Sequence, residues 1–376
     1  MEHYFDNSAT TRVCDEAAAA ALQAMTETYG NPSSTHTKGR EANKLLAASR
    51  KKISDALGCL PEELFFTSCG SESDNWAIFK GAELNKRVGR HIISSAVEHD
   101  AVRKSLAVLE ESGYEITLLK PDCTGAISAE QVKEALREDT ALVTLMMINN
   151  ETGAVTDINA VSKMLKENGS KALLHCDAVQ SFMKCEFKAK TLGADMISIS
   201  GHKIHAPKGI GALYVRKGLN LKSFIVGGGQ ESGKRAGTES MPYIAAFAAA
   251  CETASNGLKE NIAKMSELKE YITNGLVETI SGVKYIKTDA PHILSISLPG
   301  YRSEVLMNYL EAQEIYVSKS SACKKGARSH VLEAIGMSAK DIDGALRIGI
   351  SRYNTKEDAD ALISALKTAH DTLSHR

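Results

Sequence analysis

Between Leu64 and Val215 the chain alternates short, mostly apolar runs with helical stretches, and that alternation limits its fold more than any other feature. LFFT, HIISS, EITLLK, ALVTLMMI, ALLHC, the run from Met196 to Ile199 and the run from Ile210 to Val215 are each too short to be a buried helix. Strands covered on both faces read this way, and such strands belong to mostly parallel sheets with helices packed against them. The expectation is an α/β fold.

Polar loops close these runs. LFFT leads into Ser68-Cys69-Gly70-Ser71-Glu72-Ser73, HIISS into Ala96-Val97-Glu98-His99-Asp100, and ALVTLMMI into Asn149-Asn150-Glu151-Thr152-Gly153. ALLHC leads into Asp177-Ala178-Val179-Gln180, and the run at 196–199 into Ser200-Gly201-His202-Lys203. Ligands of open α/β sheets bind just outside the carboxyl ends of the strands. Ser71, His99, Asn150, Asp177, Gln180, Ser200, His202 and Lys203 are therefore candidates for one shared site.

The flanks are of a different kind. DNSATTR is polar and turn-like, and an alanine-rich helical stretch runs from Cys14 to about Thr28. Ala42, Leu45, Leu46, Ser49, Ile53 and Leu57 then mark one face of a long helix that Gly58 stops. After the last run, Gly227 to Glu239 is glycine-rich, polar and basic, which predicts a flexible binding loop or a linker. A helical run to about Ser281 follows. From Val283, strands (VKYIKT, HILSISL, EIYVSK, ALRIGIS) interleave with helices at Ser303–Ala312, Val331–Ile335 and Lys356–Ser374, the pattern of a smaller α+β domain. A chain of 376 residues exceeds what one core usually serves. The expected division is a large domain over 15–257 and a small one from 1–14 and 258–376 that carries Cys323.

Composition narrows the function classes. Lys+Arg 45 against Asp+Glu 46 leaves no basic footprint for direct nucleic-acid binding. The richest apolar stretch, Ile244 to Cys251, is too short to cross a bilayer. MEHYFDNSATTR lacks the basic and then apolar pattern of a signal peptide, so a cytoplasmic location and no membrane partner are expected. The 8 cysteines are scattered without CxxC or ligand spacing, which argues against disulfides and against a metal site. Cys323 stands apart. Ser320, Ser321, Ala322, Gly326 and Ala327 around it are small, predicting a mobile surface loop. Lys324 and Lys325 place positive charge beside the thiol and favour the thiolate, unless they are merely a solvated pair.

Lys203, just past a strand between a hydroxyl and an imidazole, suits amine chemistry. Such a lysine forms a Schiff base with a carbonyl cofactor like pyridoxal phosphate; the alternative is one more solvated lysine. That cofactor needs an acid facing its ring nitrogen, for which Asp177 is placed, or else Asp177 is a helix N-cap. Gly70-Ser71, opening a helix, fits a phosphate cradle or an ordinary cap. His99 would cover the ring or be structural, while Asn150 and Gln180 would bond its hydroxyl. Arg347, inside the apolar run ALRIGIS, needs a partner. A substrate carboxylate or a structural salt bridge would serve.

At this point the chain resembles a family. DNSATT, GNPSSTH, FTSCGSESDN, VEHDAV, NNETGAV, HCDAVQS, SISGHKIHAPKGIGALYVR, GGGQESGKRAGT and LRIGISRYNT stand in the order found in cysteine desulfurases of the NifS/IscS type. These belong to the class V aminotransferase group of fold-type I pyridoxal-phosphate enzymes. The resemblance covers essentially the whole chain and implies a fold-type I transferase architecture.

It also implies roles. Lys203 would be the Schiff-base lysine, His99 would stack on the ring and assist proton transfer, and Asp177 would face the ring nitrogen. Asn150 and Gln180 would lie near the ring hydroxyl, and Gly70, Ser71, Ser200 and His202 would hold the phosphate. Thr238 would reach the phosphate of a neighbouring subunit, implying a homodimer. Arg347 would clamp the carboxylate of L-cysteine, and Cys323 would receive sulfur as a persulfide. The departures are CGSES where the family usually reads GATES, with the hydroxyl kept, and SKSSACKKG where it tends to read SSGSAC. The chain also ends at Arg376 without the extension of scaffold-serving members. The implied reaction turns L-cysteine into L-alanine and passes sulfur from Cys323 to an acceptor protein. That acceptor would serve iron–sulfur assembly or tRNA thiolation. The rivals are a selenocysteine lyase, a class V aminotransferase and an idle interaction protein; Cys323 argues against the aminotransferase, and intact Lys203, Asp177 and His99 against the last.

Overall fold

The computed structural model describes residues 2–319 and 328–373. A two-residue strand, β1 (His3–Tyr4), opens the chain. Seven strands then build the main sheet: β2 (Leu64–Thr67), β3 (His91–Ser95), β4 (Glu115–Leu119), β5 (Thr140–Met146), β6 (Leu173–Asp177), β7 (Met196–Ser200) and β8 (Gly211–Val215). Their spatial order is β2-β8-β7-β6-β5-β3-β4. Only β8 runs against its neighbours, so the sheet is mostly parallel, as the apolar runs require.

The chain steps outward from β3 to β4 and then back across β3 to β5. That reversal puts a crevice between the loops after β3 and β5, where doubly wound sheets bind ligands. Those loops carry Glu98, His99, Asn150 and Glu151.

Helices cover both faces. α1 (Asp15–Thr26) and α2 (Thr37–Leu57) pack on a later buried helix, Met241–Ser255. α2 ends at Gly58 in the left-handed conformation (φ 75°), which glycine adopts without steric cost. On the other face, α3 (Gly70–Leu84) and α4 (Asp100–Glu111) bury Trp76, Ile78, Val102 and Leu106 in a separate core. The Ile244–Cys251 stretch sits inside the buried helix, and among the described residues no helix is long and apolar enough to cross a membrane.

The remaining strands are β9 (Lys284–Tyr285), β10 (Ile293–Ser297), β11 (Ile315–Tyr316), β12 (Ser318–Lys319) and β13 (Ala345–Gly349). β12-β13-β10-β9 form a second sheet with its own core, in which Phe5 packs with Leu268, Leu306, Leu346 and Leu362.

Three expectations change in detail. EIYVSK is not one strand: Ile315–Tyr316 pairs with β1 and Ser318–Lys319 with β13, so the chain changes sheets at Val317. The helical run after the glycine loop is two helices, Met241–Ser255 and Leu258–Thr279, interrupted at Asn256-Gly257. The 227–239 loop is neither slack nor wholly polar surface. Glu231 is buried, takes Arg50 at 2.6 and 2.8 Å, and accepts the Phe66 N–H at 2.8 Å. A second pair, Arg235 to Glu72 at 2.9 and 3.1 Å, ties the loop to the first turn of α3.

Candidate active site

One cavity of about 310 Å³ opens at the carboxyl ends of the central strands. Gly70, Ser71, His99, Asn150, Asp177, Gln180, Ser200, His202, Lys203 and Arg347 all line it. They come from loops far apart in sequence, brought together by the strand order. Thr238 does not line this cavity; it borders a separate hollow of about 110 Å³ with Thr67, Ser68 and Arg235. Cys323 lies outside the described residues, as do Lys324, Lys325 and the loop predicted around them.

Lys203 follows β7 in a short 3-10 turn, Gly201–Lys203. Its Nζ donates to the carbonyls of Ser8 (2.5 Å) and Ala9 (2.7 Å). Burial drives its amine down to about 7, helped by the positive field of Arg347. A substantial fraction is therefore uncharged at neutral pH, the form that attacks carbonyls. DNSATTR supplies that wall, and further bonds fasten it to the lysine turn. The Thr11 N–H donates to the His202 carbonyl at 3.0 Å, and Thr10 Oγ1 lies 3.2 Å from His202 Nδ1. Burial holds His202 neutral, pushed down to about 3.

Asp177 ends β6 and is buried, with Oδ1 accepting the Val179 N–H at 2.9 Å. Burial raises its carboxyl above the usual range. Two more buried carboxylates join it, neither of which the sequence pattern singled out. Asp74, one turn into α3, has an unpartnered Oδ1 among the described residues, and burial together with Asp177 pushes it well up. The nearby His175 Nε2, 3.6 Å away, is not its counter-ion, because burial holds that imidazole down at about 3. Glu98 accepts from Ser95 Oγ (2.6 Å) and the Met146 N–H (3.1 Å), and burial pushes it up to about 8.

His99 caps α4: its Nδ1 accepts the Ala101 N–H at 3.1 Å. The ring proton is therefore on Nε2. Arg347, 3 % exposed, sits in β13 and donates to the Asn150 carbonyl (2.9 Å), Ser318 Oγ (2.9 Å) and Asp6 Oδ1 (3.3 Å). Its Nε has no partner among the described residues. The structural salt bridge expected as an alternative is thus present, through Asp6, and leaves donor capacity unused. Glu151 takes the Ser329 hydroxyl and is pushed up to about 7 by burial.

Pyridoxal phosphate fits this donor set. Among the described residues, the buried Asp177 has no cationic partner within hydrogen-bonding reach, a charge that a protonated ring nitrogen supplies. Ser200 Oγ is buried beside the start of α3 without a hydrogen-bond partner among the described residues. A Cβ at Gly70 would stand 2.7 Å from Val179 Cγ2 and 3.4 Å from Ser200 Cβ, so glycine keeps that helix start close to both.

The aminotransferase class-V model matches residues 3–362. The chain belongs to the class-V aminotransferase family. It is a member of the cysteine desulfurase type. The cysteine desulfurase IscS of Methanosarcina thermophila is 38% identical over 369 residues, covering 96% of this chain and 90% of that protein. The solved structure of a NifS-like protein superposes with a TM-score of 0.94 at 37% identity, over 99% of this chain and all (100%) of the other. A structure described as SspA in complex with cysteine gives a TM-score of 0.82 at 33% identity, over 94% and 100% of the two chains. This family depends on pyridoxal phosphate, and its members pass sulfur to acceptors.

Proposed function

We propose that the 310 Å³ cavity holds pyridoxal phosphate and L-cysteine, and that the chain converts cysteine to alanine while Cys323 takes the sulfur. The observation that carries this reading is the gathering of ten separately predicted residues around one cavity, with a buried lysine amine among them whose proton burial loosens. Lys203 would attach the cofactor. Gly70, Ser71, Ser200 and His202 would hold its phosphate, Asp177 its ring nitrogen, and Asn150 and Gln180 its ring hydroxyl. When bound, pyridoxal phosphate supplies the electron sink that lets bonds at the substrate's α-carbon break.

The chain's own groups do the rest. Lys203 Nζ, with its amine near neutrality, takes the α-proton and later returns it. His99, its proton fixed on Nε2, covers the ring and offers a donor to the reacting groups. Arg347 holds the substrate carboxylate through its spare donor capacity. The Cys323 thiolate attacks the substrate sulfur, the carbon–sulfur bond breaks, and a sulfur–sulfur bond forms. L-cysteine and Cys323 thiol thus give L-alanine and Cys323 persulfide with no outside oxidant.

Two arrangements belong to the same reading. Residues 15–257 form the cofactor-binding unit, with 1–14 and 258–376 as the smaller one, which the separate cores support. Thr238, outside this chain's own cavity, serves the site of a second copy. Mixing Lys203→Ala with Thr238→Ala protein should then restore activity through hybrid dimers; subunit exchange without recovery contradicts a shared site. For the main reading, Cys323→Ser should keep cofactor and cysteine binding but yield neither persulfide nor alanine. Alanine release at the wild-type rate by that variant rejects the sulfur-transfer step.

A further inference from the structure

Gln180 is gripped at both ends of its amide, and the grip dictates which way it faces. One terminal atom lies 2.9 Å from the Ser8 carbonyl oxygen, the other 3.3 Å from Nε2 of His292. A carbonyl only accepts, so the atom against Ser8 is the amide nitrogen and the atom against His292 is the oxygen. The His292 contact then requires a proton on Nε2 and leaves Nδ1 bare. Nδ1 makes no hydrogen bond among the described residues, in keeping with that assignment.

The surroundings hold His292 in this one state. It is fully buried, at 0% exposure, beside β10. The ionisable groups whose field reaches it are Lys184, Lys269, Lys203 and Arg347, all basic. Burial, with that field, keeps the imidazole neutral, well below its ordinary value. The same Ser8 carbonyl also receives the Lys203 amine at 2.5 Å, so the chain from His292 ends on the acceptor that holds the attaching lysine. Ser8 and Gln180 line the cavity and His292 does not, so the nitrogen end of the amide is the cavity end.

We propose that His292 is a positioning residue: by donating Nε2–H to Gln180 Oε1 it fixes the amide nitrogen toward the cavity. Gln180 then offers the ligand oxygen a donor rather than an acceptor. The identity of that oxygen, the ring hydroxyl of pyridoxal phosphate, rests on the function proposed above; the tautomer does not. A fixed donor stabilises the ionised hydroxyl, and without His292 the amide would be held at its nitrogen end alone, by the Ser8 carbonyl, and would present that donor less firmly.

Two measurements test this. In cofactor-free protein labelled with ¹⁵N-histidine, two-bond proton–nitrogen spectra should show His292, identified by its loss in His292→Gln, as a neutral Nε2–H ring throughout about pH 5.5 to 8. An Nδ1–H ring, or titration in that range, overturns the assignment. In protein loaded with pyridoxal phosphate, His292→Leu should raise the pH midpoint of the visible absorption by roughly one unit, the scale of one lost hydrogen bond. His292→Gln, which keeps a donor at that reach, should restore it. A Leu variant with the wild-type midpoint, or a Gln variant shifted as far as Leu, refutes the positioning role. Failure of the cofactor reading would appear separately, as wild-type protein without visible absorption, and the tautomer measurement would still decide the first step.

Discussion

The cavity is lined by two groups of charges that are buried in opposite senses. On one side Asp74, Glu98 and Asp177 crowd three carboxylates together, and burial raises all three. On the other, Lys203 and Arg347 crowd two cations, and burial lowers the lysine. Among the described residues no hydrogen bond or ion pair joins the two groups, although Lys203 and Asp177 feel each other's field. Lys203 bonds main-chain carbonyls, and the hydrogen bond given to Asp177 is a main-chain N–H. A fold selected for stability alone would close such charges into pairs, because an unpaired buried charge is expensive. Keeping them apart suits a ligand with a cationic nitrogen at one end and anionic groups at the other. The difference teaches that the site is organised for such a ligand at some cost to the empty protein.

The largest expected effect comes from removing the cationic side's nucleophile. Lys203→Ala should cut alanine formation by at least about a thousandfold; a rate within about tenfold of wild type would break the comparison. Next is Asp177→Asn, which keeps the shape and removes the charge. Alanine formation should fall by about a hundredfold, while the cofactor-free protein melts higher because a buried carboxylate is gone. A variant that is both fully active and unchanged in melting would show that this side is idle.

Arg347→Lys sharpens the same contrast at the substrate. Lysine keeps the charge but loses the planar fork, so KM for cysteine should rise roughly tenfold with kcat changed only a few-fold. A fall in kcat at constant KM would return Arg347 to its structural pairing with Asp6.

The smallest effect is on stability against pH. The lysine is pushed from 10.5 to about 7 on folding, so the folded state resists its protonation. That cost is complete below about pH 7 and disappears as pH approaches 10.5. In cofactor-free protein, Lys203→Met should therefore raise Tm most near pH 6 and least near pH 10. An equal gain at both values would contradict the buried-amine account.

Much of this arrangement was legible in the residue order. A parallel sheet exposes its strand ends on one edge, so polar groups placed just after apolar runs had to meet, and Asp177, His99 and Lys203 do. What was hidden has physical reasons. Ser8 and Ala9 act through carbonyl oxygens, which every residue carries and no letter announces. Asp74 reads as helix surface, and only the sheet behind α3 buries it. Glu231 looked like solvent-facing loop, yet its carboxylate reaches Arg50 and the Phe66 N–H. EIYVSK has uniform strand character, and its division between two sheets depends on β1, which lies three hundred residues earlier.

The most direct measurement is where pyridoxal phosphate attaches. The purified protein is incubated with it, reduced with borohydride, digested and mapped by mass spectrometry. The account predicts visible absorption before reduction and the cofactor's mass on the peptide containing Lys203, absent in Lys203→Ala. Cofactor mass on another lysine, or on none, would contradict the assignment of this cavity.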